Sequence, residues 1–278
     1  MKNVLRGAAA AAVASVALFA SSAFAQTGPI PLPTDSVHGG SGLIVSIWDT
    51  TKDISMVSYL GVDYPAAQPG TLTSHDFGLL SGFGTTFSTS STANLVYTVF
   101  ATKGFGAATG TGFVTTGPLG GSLGTPPIPN NGNVTAAISA ANSFIGSVNN
   151  SCGATVPCVS DATQAVPLNT AAFAGQESWG DTYNGALSQA SASSAVGTAL
   201  GFFSVVKSGT LAGNPAVVTV FGNETTGFGQ WLLTAGGNLS YSIAASSPVP
   251  LPAALWLLMS GCAGLATIGR RRKAALTA

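Results

Sequence analysis

Gln230-Trp231-Leu232-Leu233-Thr234 and Leu239-Ser240-Tyr241-Ser242-Ile243 flank the turn Gly236-Gly237-Asn238, and this stretch predicts a tight antiparallel hairpin. Gly and Asn supply the positive φ values that such turns need, which side chains with a Cβ branch resist. With a side-chain period of two, Leu239, Tyr241 and Ile243 fall on one face and present it to a core.

The same period recurs upstream. Leu43, Val45 and Ile47 alternate with positions expected to be less buried, and after Thr50-Thr51-Lys52-Asp53 the alternation resumes at Ile54, Met56 and Ser58, a second hairpin. Strands are expected near Thr71 to Leu79, at Phe83, Thr85 and Phe87, over Phe113 to Thr115, at the end of Ala195 to Lys207, and over Ala216 to Phe221. Leu95-Val96-Tyr97-Thr98-Val99-Phe100 is dense in β-branched and aromatic residues and reads as a central strand covered on both faces. Only between Val134 and Val148 does the period become helical: Val134, Ile138, Ala141, Ile145 and Val148 follow Asn133, the expected N-cap, in a helix ending at Asn149-Asn150. A second helix, Ala162 to Ala174, is interrupted by Pro167.

Beyond Ile243 the character changes. Prolines 248, 250 and 252 remove backbone donors and hold Pro248 to Pro252 extended. An uncharged apolar run, Ala253 to Gly269, follows; as a helix its seventeen residues would rise roughly 26 Å, close to the hydrocarbon thickness of a bilayer. Arg270, Arg271, Arg272 and Lys273 then supply the positive charge that keeps a helix end on the cytoplasmic side, so the bulk of the chain is expected outside.

This order of parts resembles the PEP-CTERM sorting signal of Gram-negative bacteria, in the variant reading Val249-Pro250-Leu251-Pro252-Ala253. The likeness covers residues 248–273, with Leu251 where the commoner motif has Glu. It implies processing near the proline motif by an exosortase, an integral-membrane cysteine protease, after transient anchoring in the inner membrane. Release to the cell surface or to an exopolysaccharide matrix would follow, with exopolysaccharide itself as the implied partner.

At the other end Lys2 and Arg6 precede the apolar run Gly7 to Ala20, and Ala23-Phe24-Ala25 offers the small residues that signal peptidase reads, placing the mature start at Gln26. The Sec translocon and signal peptidase are therefore expected partners. Residues 1–25 read as a signal peptide, 26–247 as the exported domain and 248–273 as the sorting signal. Within 26–247 three lysines stand against seven Asp and two Glu, a net charge of −6 that repels nucleic acid. The fold class expected is mainly β: an antiparallel sandwich or jelly-roll-like domain with one or two short helices, plus the signal helix and one C-terminal transmembrane helix.

Cys152 and Cys158, with five residues between them and in an oxidising compartment, are expected to form a local disulfide. Catalytic signals are sparse. His75-Asp76 lacks a Gly-x-Ser-x-Gly elbow to serve, and His38 with His75 makes a poor zinc set, so neither a metal nor a cofactor is expected and the chain does not read as an enzyme. Glu177, Asp181 and Asn184 offer oxygen ligands without the order of a calcium loop. Trp48, Trp179, Trp231, Tyr59 and Tyr64 are either core residues or a stacking platform for sugars, which leaves a lectin-like module, and behind it a secreted hydrolase using His75, as the alternatives to a structural matrix protein. The sequons at Asn133, Asn149, Asn223 and Asn238 are expected by chance in a chain so rich in Asn, Ser and Thr.

Overall fold

A computed structural model describes residues 30–52, 54–104, 110–119, 129–152, 158–161, 174, 192–223, 225 and 227–243. The signal peptide, the sorting signal and the Ala162 to Ala174 helix, save Ala174 itself, lie outside these residues. Among the described residues no helix is long and apolar enough to cross a membrane.

The described chain is mainly β. Twelve strands join one antiparallel sheet: β1 (Ile44–Asp49), β2 (Ile54–Tyr59), β3 (His75–Leu79), β4 (Leu95–Lys103), β5 (Gly112–Gly117), β6 (Cys158–Asp161), β7 (Ser194–Ala195), β8 (Leu200–Val206), β9 (Val217–Val220), β10 (Gly222–Asn223), β11 (Gly227–Leu233) and β12 (Asn238–Ile243). Its main path runs β3-β12-β11-β8-β5-β4-β1-β2-β6. A short helix α1 (Phe83–Thr86) and a long helix α2 (Asn131–Cys152) complete the α structure.

The hairpin read from Gln230 to Ile243 is present as β11 and β12, with Trp231 opposite Tyr241 and Leu233 opposite Leu239. Its turn depends on Gly237, whose φ is +83° and whose place would put a Cβ 2.5 Å from the Phe83 ring. A side chain there is excluded twice, by backbone conformation and by space. β1 and β2 form the second expected hairpin, and β4 lies inside the sheet as its composition requires.

Both faces of the central sheet are buried, and this corrects the expected alternation at Leu43 to Ile47, where every residue is buried. On one face Ile44, Val57, Phe100, Phe113 and Val205 pack under Val134, Ile138, Ala141, Ile145 and Val148 of α2. On the other, Val45, Ile47, Tyr97, Val99, Val114, Phe202, Trp231 and Tyr241 form a second core, covered by Leu60, Tyr64, Leu72, Phe83 and Phe87.

The sheet curls, and Tyr97 shows by how much. Its hydroxyl, on β4, donates to the Thr198 carbonyl at 2.8 Å and lies 3.0 Å from the Trp231 carbonyl on β11. Those strands are three positions apart in the sheet, about 14 Å if it were flat, more than a tyrosine side chain spans. Curling is accompanied by forks. β4 pairs with β5 over Phe100 to Lys103 but with β7 at Val96 and Tyr97. Between the two ladders the Val99 amide donates to the Thr116 hydroxyl at 3.1 Å, which donates to the Ala192 carbonyl at 2.6 Å.

Three expected elements differ. Phe83, Thr85 and Phe87 do not form a strand; they lie in and just after α1, with the two Phe rings 5.3 Å apart. Positions i and i+4 share a face in both a strand and a helix, so this pair could not separate the two. The strand expected from Thr71 begins only at His75. The cap of α2 is Asn130 and not Asn133: the Asn133 amide donates to Asn130 Oδ1 at 2.8 Å, the Asn130 amide donates to Asn133 Oδ1 at 3.0 Å, and the helix runs on to Cys152. The arrangement is a reciprocal capping box in which asparagine plays both parts.

Two substitutions should rank accordingly. Trp231→Ala empties the centre of the curl and is expected to cost about 3–5 kcal/mol in denaturant unfolding, whereas Asn130→Ala is expected to cost about 1 kcal/mol.

Candidate functional site

The residues with a claim on function are those where the targeting segments join the fold, and those the composition nominated for binding or catalysis. At the N-terminal junction the Ile30 amide donates to Asn149 Oδ1 at 2.8 Å, and Asn149 Nδ2 donates to the Ile30 carbonyl at 2.9 Å. The side-chain amide serves Ile30 as a neighbouring strand would, and Ile30 is buried beside α2. Ala23, Ala25 and Gln26 lie outside the described residues, four to seven positions before this clamp. At the C-terminal junction β12 ends with Ile243 opposite Gly229, and the Ile243 amide donates to Ser74 Oγ at 3.1 Å, just before β3. Val249 to Ala253 and Arg270 to Lys273 lie outside the described residues.

The residues nominated for chemistry are not brought together. His75 and Asp76 are exposed on β3; the His75 ring meets Phe77 edge-on at 4.4 Å, and Asp76 Oδ1 accepts the Gly78 amide at 2.9 Å. That bond sits at a bulge where the β3–β12 register shifts, so the carboxylate shapes a strand edge. His38 Nδ1 lies 3.1 Å from Asp35 Oδ2 in the lead-in segment. Hydrogen bonds from the His38 and Val37 amides, with the His38 ring close beside the carboxylate, hold the Asp35 carboxyl below its ordinary range. Among the described residues no three His, Cys, Asp or Glu side chains gather as a metal site. Glu177, Asp181 and Asn184 lie outside those residues.

The aromatic residues divide clearly. Trp231, Tyr59 and Tyr64 are core residues, with Trp231 0 % exposed. Phe77 stacks on Trp231 at 5.3 Å, and the Phe202 and Tyr241 rings close around it at 5.5 and 5.1 Å. Trp48 is half-buried against the helix-side core, and Trp179 lies outside the described residues. Trp231, Tyr59 and Tyr64 therefore offer no ring face to a sugar, and they form no platform with Trp48.

Cys152, at the end of α2, is disulfide-bonded. Cys158, the partner expected from spacing, opens β6 opposite Val57. Of the sequon asparagines, Asn133 is engaged in the cap and Asn149 in the clamp on Ile30. The Asn149 clamp is the contact that sequence reading missed. A polar residue at the end of an apolar helical stripe was its only signal.

Comparison with protein families, with curated proteins and with solved structures finds no match.

Among the described residues four phenols respond to alkaline pH. Burial, reinforced by the neighbouring Asp63 carboxylate, raises Tyr59, whose hydroxyl donates to Asp63 Oδ1 at 2.8 Å. Burial pushes Tyr64 up to about 12 and raises Tyr97 and Tyr241 further. Their unfolded values are near 10.0, so the unfolded chain releases phenolic protons that the fold retains. The stability these phenols contribute is fully present below pH 10 and lost as pH rises from there toward the folded values. Denaturant midpoints at pH 8 and pH 11 should show this loss. The Tyr241 hydroxyl is buried without a hydrogen-bond partner, so Tyr241→Phe should leave stability at pH 8 unchanged or higher and reduce the alkaline loss. Asn149→Ala should free the lead-in: amide exchange at Ile30 is expected to accelerate at least ten-fold, with little change in the central strands.

Proposed function

We propose that this chain is an exported, non-enzymatic surface or extracellular-matrix protein, sorted by its C-terminal segment and processed there by an exosortase. The observation that carries the reading is the uninterrupted order of a Pro-spaced motif (Val249 to Ala253), an uncharged apolar run (Ala253 to Gly269) and four cations (Arg270 to Lys273). A generic anchor has no need of three alternating prolines at its outer edge. On this reading the exported domain is a curled antiparallel sheet of the sandwich or jelly-roll kind, and its task is cohesion within exopolysaccharide through a sparsely charged, hydroxyl-rich surface.

The fold supports a structural role more readily than a lectin-like one. Trp231, Tyr59 and Tyr64 are committed to the core, and His75 and Asp76 to local contacts at a strand edge. Among the described residues the last strand ends at Ile243, five positions before the first proline of the motif segment.

Intact mass and terminal sequencing of protein recovered from inner membrane and from matrix provide the test. The matrix form is expected to start at Gln26 and end near Val249 to Ala253, and deletion of Pro250 to Ala253 should leave the protein in the membrane. Full delivery of that deletion variant to the matrix would defeat the sorting reading.

A further inference from the structure

We propose that the outward face of β11, β12 and β3 is the surface on which an extended, neutral polysaccharide chain lies. This deepens the cohesion reading above and rests on it for the source of the glycan; the site itself rests on the three strands and their side chains.

Helix α2 leaves this face open. It packs on Ile44, Val57, Phe100, Phe113 and Val205, which belong to β1, β2, β4, β5 and β8, and among the described residues β11, β12 and β3 contribute nothing to that core. Period two along the last hairpin sends Trp231, Leu233, Leu239 and Tyr241 inward, where they are at most 1 % exposed, and turns the residues between them outward. Strand register then aligns the outward residues. Gln230 stands opposite Ser242, and Leu232 stands opposite Ser240, which on its other side faces Asp76 of β3. Asn238 ends the β12 row. All of these are partly or fully exposed. Because the sheet curls over its opposite face, this one is convex, so an extended chain can lie across it while a compact ligand finds no cleft.

Elsewhere in the fold the hydroxyls and amides of Thr116, Asn131 and Asn149 serve backbone groups. On this face they do not: among the described residues none is hydrogen-bonded to the side chain of Gln230, Ser240, Ser242 or Asn238. Their donors and acceptors are set about 4.8 Å apart across the strands and roughly 7 Å apart along them, an array that repeats on the scale of one sugar ring. Phe228, two residues before Gln230 on β11, is partly exposed and with Leu232 gives the array an apolar border for the C–H face of a sugar. The three strands hold one acidic residue, Asp76, and no Lys or Arg. Uronate chains and anionic lipid therefore find no counter-charge here, and the net charge of the exported domain repels both. A second protein surface laid on the array would strip water from its amides and hydroxyls, whereas a polyhydroxyl chain replaces that water in kind.

Native affinity electrophoresis of the full chain, in a detergent without a sugar headgroup, tests the face. Xyloglucan, a neutral and extended β-glucan, is cast into one gel and alginate, a uronate polymer, into another. One variant combines Gln230→Leu, Ser240→Ala and Ser242→Ala; a second combines Thr210→Val and Thr219→Val, which remove exposed hydroxyls from elsewhere on the fold. Xyloglucan is expected to retard the wild type and alginate to leave it unmoved. The triple variant should bind xyloglucan at least about five-fold more weakly with its near-ultraviolet circular dichroism unchanged, and the Thr variant should bind as the wild type does. In the wild type itself, xyloglucan should slow carbodiimide labelling of Asp76 and leave that of Asp35 unchanged, a readout that needs no variant to fold. A wild type that xyloglucan does not retard, a triple variant retarded as strongly as the wild type, a Thr variant weakened as much as the triple, or Asp76 labelling that xyloglucan leaves untouched overturns the face. Equal retardation by alginate overturns the neutral class of ligand. Terminal masses decide the sorting reading independently: a chain that binds xyloglucan through this face yet never reaches the matrix defeats the cohesion reading and leaves the face standing.

Discussion

Closure of the sheet over its own concave face is the constraint on which the rest of the structure depends. A flat antiparallel sheet of this width would leave Val45, Ile47, Val99, Phe202 and Trp231 in water on one side while α2 covered the other. The curl, tied by the Tyr97 hydroxyl to Thr198 and by its approach to Trp231, brings these residues under Leu60, Tyr64, Phe83 and Phe87. Burial of apolar area on both faces is the main favourable term in a chain so poor in charge. It also explains where the aromatic residues went. Rings bury the most surface per residue, and the curl is where the most surface had to be covered.

Closure carries a polar cost, which the sequence meets mainly with hydroxyl and amide side chains, Asp49 and Lys207 being buried charges. Where strands change partners, backbone groups lose their ladder, and Thr116 supplies the missing acceptor to Val99. Asn131 does comparable work at the start of α2, donating to the Gly209 and Leu211 carbonyls while its own oxygen accepts the Ser208 amide. Asn149 does the same for Ile30. A neutral hydroxyl or amide is far less costly to bury than a charge, and it satisfies a backbone group as well. The abundance of Ser, Thr and Asn is thus partly a property of the interior as well as of the surface.

The legible part of the fold was the part held by local physics. The Gly236-Gly237-Asn238 turn requires positive φ, the β11–β12 alternation has one core face, and the α2 stripe repeats with a helical period, so each could be read from a few neighbouring residues. Phe83 and Phe87 could not, because i and i+4 coincide in strand and helix and the decision came from their contact with each other and from the seat of Phe83 against Gly237. The cap of α2 was misplaced by three residues because Asn130 and Asn133 are chemically the same, and only their reciprocal bonds tell them apart. The candidate sites fared similarly: Trp231 is as compatible with a sugar platform as with a core until its neighbours are known.

The sequence by itself determined the predominance of β structure, the helix, both hairpins and the expectation of an exported chain with a Pro-motif tail, because each rests on short-range periodicity, turn chemistry or charge order. Tertiary structure alone decided that the strands form one curled sheet, that Tyr97 and Trp231 meet across it, that Asn149 clamps Ile30, and that the Ile243 amide is held by Ser74. The contacts among these described residues depend on positions tens to more than a hundred apart competing for the same buried surface and the same backbone groups, a competition that no local pattern records.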